Sequence, residues 1–169
     1  LPTNVYPLFA QALRKEEKKT AAMHLDECSS LFSEFSKIAS KNPYSWFPSY
    51  RSAAEIAEES PNNRMVGFPY TKYLNSVIRV NMASAFILTS QEKADELNVA
   101  EHKRVYVHGC SILNDIWNVT ERPDFHSSPA IKTCVNQSLD QAEISLSDIK
   151  HFDLYSCFPS AVQLSLIHI

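Results

Sequence analysis

Apolar positions recur along this chain first at helical and later at strand spacing. From Tyr6 to about Lys18, Leu8, Phe9, Ala12 and Leu13 share one helical stripe. A second helix is predicted from Ala21 to Lys41, with Leu25, Cys28, Leu31, Phe32, Phe35 and Ile38 on one face and polar residues opposite. Asn42-Pro43 ends it, because the residue before a proline is pushed out of the helical region. The aromatic residues Tyr44, Trp46, Phe47 and Tyr50 then pass through a proline-interrupted loop and are expected to cover a helix pair. Ser52-Ala53-Ala54-Glu55 fits a capping box, which predicts a short helix over Ala53 to Glu58.

Beyond residue 77 the pattern changes. Ala85-Phe86-Ile87-Leu88 reads as a strand buried on both faces. Thr89-Ser90-Gln91-Glu92 opens a helix to about Leu97, and Arg104-Val105-Tyr106-Val107-His108 alternates like a further strand. Ser128-Pro129 supplies a cap and a first-turn proline for a helix whose Ile131, Cys134, Val135, Leu139 and Ala142 form one face. A last strand, Phe152-Asp153-Leu154-Tyr155, leads into a helix at Pro159-Ser160-Ala161. Alternating strands and helices indicate a layered α/β sheet.

Composition narrows the function classes. With 44% hydrophobic and 21% charged residues the chain is globular in balance. A net charge of −3 with mixed signs argues against a nucleic-acid surface, and no apolar run is long enough to span a bilayer. The one dense basic stretch, Arg14 to Lys19, is diluted by Glu16 and Glu17. Only two glycines are present, Gly67 and Gly109, which excludes a glycine-rich phosphate loop. Cys28, Cys110, Cys134 and Cys157 have no metal-ligand spacing, and His24, His102, His108, His126 and His151 form no metal-like set, so no metal is expected. Reduced thiols point to an intracellular protein, its organelle left open, in which Asn118-Val119-Thr120 and Asn136-Gln137-Ser138 are chance glycosylation triplets.

Five stretches in order carry a resemblance to the thiolases, in particular the acetyl-CoA acetyltransferases and the sterol-carrier-protein-type thiolases and thiolase-like proteins. They are Asn4-Val5-Tyr6-Pro7-Leu8-Phe9-Ala10, Ser52 to Ala57, Asn63 to Lys72, Phe125 to Ile131, and Asp153-Leu154-Tyr155-Ser156-Cys157-Phe158-Pro159 on to Gln163. The resemblance implies an α/β fold, part of a layered αβαβα thiolase. Residues 1–72 would be a helical loop-region segment, 73–113 the end of the N-terminal half, and 114–163 a linker and the start of the C-terminal half. The chain is thus expected to be an internal piece of a longer protein. Residues 164–169, Leu-Ser-Leu-Ile-His-Ile, match the translated end of a sequencing-library adapter and are expected to be non-native.

The implied activity is acyl transfer to or from coenzyme A through a cysteine thioester, chemistry that a polarisable thiolate suits. The resemblance places the nucleophilic cysteine before Leu1, and the activating histidine and second cysteine after Gln163. No catalytic residue is therefore expected within the chain. The active-site motif it partly covers is the turn Tyr155-Ser156-Cys157, a set expected to line the site. Tyr155 occupies a position that is asparagine or histidine in relatives and holds a water in their oxyanion hole. For Tyr155 lining and packing roles both stand open, and packing is the favoured role for Cys157.

Three further departures are Asn81-Met82-Ala83-Ser84-Ala85, where relatives carry a glycine, and Asn114 and Ile116, where they often carry histidines. These leave a second reading, a non-catalytic thiolase-like protein that binds acyl-CoA or lipid, or a structural subunit. The expected partners are an acyl-CoA substrate, with no bound cofactor, and copies of itself in a dimer or tetramer.

Overall fold

The computed structural model describes residues 2–169. Helix α1 (Pro2–Glu16) begins before the predicted Tyr6 and carries Pro7 inside it. Proline has no N–H to give the carbonyl four residues back, and that carbonyl, on Thr3, faces Gly67. A Cβ at residue 67 would stand 2.8 Å from the Thr3 oxygen, so only glycine allows this approach. The predicted stripe holds in part: Leu13 is buried as expected, but Ala10 is buried too, whereas Leu8 is half exposed.

Helix α2 (Ala21–Ala39) starts at Thr20, whose hydroxyl accepts from the Met23 N–H at 3.2 Å. Its buried residues are His24, Cys28, Ser29 and Ser33. Phe35 and Ile38, expected inside, are 41% and 68% exposed. The serines explain the rotation. Ser33 Oγ donates to the Arg51 carbonyl at 2.8 Å, and the Arg51 N–H donates to Ser36 Oγ at 3.0 Å. Small hydroxyl side chains let the loop backbone come against α2 while satisfying its polar groups.

Helix α3 (Ala53–Ala57) is capped by Ser52, which accepts from Glu55 N–H at 3.2 Å, as its capping box predicts. Tyr44, Trp46, Phe47 and Tyr50 in the preceding loop are all more than half exposed and cover no helix pair.

A hairpin follows, of β1 (Met65–Gly67) and β2 (Tyr70–Thr71), antiparallel with Met65 opposite Thr71. Its entry is fixed by Asn63, which is fully buried. The Asn63 amide nitrogen donates to the carbonyls of Glu55 (3.1 Å), Ile56 (2.9 Å) and Glu58 (2.9 Å), while its oxygen accepts from Tyr73 N–H at 2.9 Å. The Thr71 hydroxyl adds a 2.7 Å bond to the same Ile56 carbonyl. One side chain thus ties the orphan carbonyls ending α3 to the chain after the hairpin.

The core sits where these elements meet. Ala10, Cys28, Ile56, Tyr70, Leu74 and Phe158 are buried together, with Tyr6, Leu25, Phe32, Tyr73 and Cys157 packed against them. Helices α4 (Gln91–Glu96) and α5 (Pro129–Ala142) lie further along, capped by Ser90 and by Ser128. Helix α6 (Pro159–Leu166) has no side-chain cap of its own; instead the buried Tyr70 hydroxyl accepts from Ser160 N–H at 3.2 Å.

The layered α/β expectation is therefore only partly visible. Ala85–Leu88, Arg104–His108 and Phe152–Tyr155 belong to no ladder among the described residues. Phe86, Ile87 and Leu88 are 88%, 90% and 81% exposed rather than buried on both faces. A strand exists only through a neighbour that takes its N–H and C=O groups, and none of the described residues lies alongside to do so. Gly109 is the exception to this looseness. A Cβ there would fall 2.1 Å from the Ser138 carbonyl oxygen, so its backbone runs directly against α5.

Replacing Asn63 by alanine strands several buried carbonyls and an N–H, and should cost about 1–3 kcal/mol. Asn63→Asp should cost at least as much, since a carboxylate would face carbonyl oxygens. Denaturant unfolding of the native protein and both variants measures this; equal midpoints would contradict the role given to Asn63.

Candidate functional site

The turn Tyr155-Ser156-Cys157 is anchored through its C-terminal neighbours Phe158 and Ser160 and through its own backbone. Phe158 stacks on Tyr6 with centroids 4.4 Å apart and planes 16° from parallel, and Ser160 Oγ donates to the Tyr6 carbonyl at 3.3 Å. The Cys157 carbonyl accepts from Ser76 N–H at 3.0 Å. Cys157 is half-buried, Ser156 exposed and Tyr155 71% exposed.

Cys157 and Tyr6 pack against the same core cluster, and the Cys157 thiol acts on the phenols of Tyr6 and Tyr155. Burial, then the thiol, push the Tyr6 hydroxyl well above its ordinary range. For Tyr155 the neighbouring Cys157 thiol is the leading cause of an upward shift. Both phenols accordingly stay protonated and able to donate at neutral pH.

Tyr155 also stands on the wall of an open cleft of about 770 Å³. Val5, Tyr6 and Phe9 of α1 form one side, Ile131, Cys134 and Val135 of α5 another, and Leu113, Ile116 and Val119 a third. Of the predicted set, the structure brings Tyr155 to this cleft, while Ser156 and Cys157 are not among the lining residues. Cys28 is buried on α2, and Cys134 is half-buried on the α5 face that lines the cleft.

The polar end of the cleft was not legible as a motif. Arg122 Nη1 pairs with Asp115 Oδ2 at 2.9 Å, and Ser128 Oγ donates to the same oxygen at 2.7 Å. Arg122 Nη2 donates to the Ser127 carbonyl at 3.0 Å, and the guanidinium lies 5.2 Å from the Phe9 ring centroid. Both charges are thereby spent on each other, leaving a mostly apolar wall. Tyr6 and Phe9 could have been found, since they lie in a stretch that carries the resemblance; Asp115 and Arg122 sit seven residues apart in a segment without periodicity. Leu164 and Ser165 also touch the cleft, and His168 Nε2 accepts from Ser128 N–H at 2.8 Å. These residues fall in the segment expected to be non-native, so no functional role is built on His168.

The chain is similar to a monomeric SCP2-thiolase-like protein of type 1 from Mycobacterium smegmatis, at 35% identity and a TM-score of 0.86 over 99% of this chain and 37% of that one. No family model and no curated protein matches the sequence. The chain belongs to the thiolase-like family. It spans little more than a third of the length of that relative. The relative is described as monomeric, which lends the expected dimer or tetramer no support. Among the described residues no helix is long and apolar enough to cross a membrane.

Burial pushes the Asp115 carboxyl up, but hydrogen bonds from Ser128 and Arg122 outweigh it and hold it below the ordinary carboxylate range. A depressed folded value means stability that is present above the unfolded pKa of about 3.9 and lost as pH falls through the folded one. Asp115→Asn should therefore flatten the acid limb of the stability–pH curve below about pH 4. An unchanged acid limb in thermal scans would contradict the pairing.

Proposed function

We propose that this chain is part of an acyl-CoA C-acyltransferase of thiolase type, which moves acyl groups to or from coenzyme A through a cysteine thioester. The supporting observation is the 35% identity to an SCP2-thiolase-like protein along 99% of this chain, with Tyr155 of the matching turn on an apolar cleft wall. An apolar wall suits an acyl chain, whereas the coenzyme's phosphates need free basic groups, and Arg122 is already engaged. Coenzyme A would thus be held largely by chain outside residues 2–169. The nucleophile, its activating histidine and the acid/base cysteine would be supplied from there too.

In this reading Tyr155 takes the part of the asparagine or histidine of relatives. Its protonated phenol donates toward the oxyanion, directly or through a water. The exposed segments Ala85–Leu88 and Arg104–His108 become strands on pairing with the remaining chain. The assembly state belongs to the same reading: a homo-oligomer is the thiolase expectation, and the monomeric relative weighs against it.

The test is thiolysis of acetoacetyl-CoA by the full-length protein. Turnover is expected, with Tyr155→Phe lowering kcat by about 10²-fold. Saturable acyl-CoA binding with neither turnover nor a thioester adduct by mass spectrometry would overturn the enzyme reading in favour of a non-catalytic acyl-CoA-binding protein.

A further inference from the structure

Outside the cleft-lining residues, the turn joining α1 to α2 gathers a histidine and two carboxylates. Glu17 follows α1, and His24 and Glu27 lie one turn apart on α2, so both project to the same side. One ligand atom from each lies within 4.8 Å of the others. A cation already stands between the acids: the Lys19 ammonium is 2.9 Å from Glu17 and 2.6 Å from Glu27.

His24 is what an ion pair alone leaves unexplained. The residue is fully buried, and its Nε2 meets Cys28 Sγ at 3.6 Å. Its Nδ1 has no hydrogen-bond partner among the described residues. A buried polar atom left unpaired is costly and asks for an occupant. Burial also favours the neutral imidazole, the form with a free lone pair.

We propose that Glu17, His24 and Glu27 form a binding site for one Zn²⁺ ion, which displaces the Lys19 ammonium. Imidazole with two carboxylates is a zinc-type donor set, and the fourth position opens to solvent. Calcium and magnesium favour six or more oxygens and gain little from an imidazole. Tetrahedral bonds of about 2.1 Å put ligand atoms about 3.4 Å apart. Closing to that distance requires rotation of Glu17 and Glu27, whose side chains are 34% and 45% exposed. The displaced Lys19 keeps its proton and moves on its flexible stem into solvent.

Zn²⁺ titration of the full-length protein by calorimetry, with Co²⁺ absorption to report ligand geometry, tests the site. One equivalent is expected to bind. Glu17→Gln and Glu27→Gln should each weaken it by at least about tenfold, and Lys19→Met should tighten it by about tenfold, since the competing cation is gone. The carboxylates are exposed, so these variants fold even where a change at buried His24 does not. Absence of saturable binding, or binding that Glu17→Gln and Glu27→Gln leave unmoved, would overturn the proposal.

Discussion

The Asn63 side chain is the constraint on which the rest of the arrangement depends. Its amide satisfies the carbonyls that end α3, and its oxygen holds the backbone at Tyr73, so a five-residue helix and a short hairpin become one unit. Neither would be stable alone: short helices are marginal without tertiary contacts, and so is an isolated hairpin. Thr71 reinforces the joint through the same Ile56 carbonyl. Gly67 then lets the hairpin sit against α1, where a side chain would strike the Thr3 carbonyl.

That unit places Tyr70, and Tyr70 places the turn of interest. Helix α6 lacks a capping side chain, so its exposed N–H groups must be satisfied from elsewhere. The buried Tyr70 hydroxyl meets Ser160 N–H, while Tyr6 stacks on Phe158. Tyr155, Ser156 and Cys157 are consequently set by residues from α1 and β2, far away in sequence. Their positions follow from packing rather than from the turn itself.

This chain of dependence explains what could be read in advance. Helix starts are local: Ser52 and Ser128 cap the helices that their spacing predicts, and the box at Thr89–Glu92 marks its helix to within one residue, the cap being Ser90 rather than Thr89. Which face a helix buries is not local. Leu8, Phe35 and Ile38 have the right periodicity, yet α1 and α2 bury Ala10, His24, Ser29 and Ser33, because a close neighbouring backbone selects small or hydrogen-bonding residues. Strands are less local still. Phe86, Ile87 and Leu88 are strand-like in composition but have no ladder neighbour among the described residues. At the site, Tyr155 and Cys157 were legible through the resemblance. The Asp115–Arg122–Ser128 cluster was not, being assembled by tertiary contacts alone.

The cleft between α1, α5 and Tyr155 holding an acyl chain is the claim on which the functional account turns. An acyl-CoA bearing a photoreactive diazirine in its chain, irradiated with the full-length protein and mapped by peptide mass spectrometry, tests it most directly. The account predicts adducts on cleft residues such as Phe9, Ile131 and Tyr155, competed away by unlabelled acyl-CoA. Adducts confined to residues outside the cleft would contradict it.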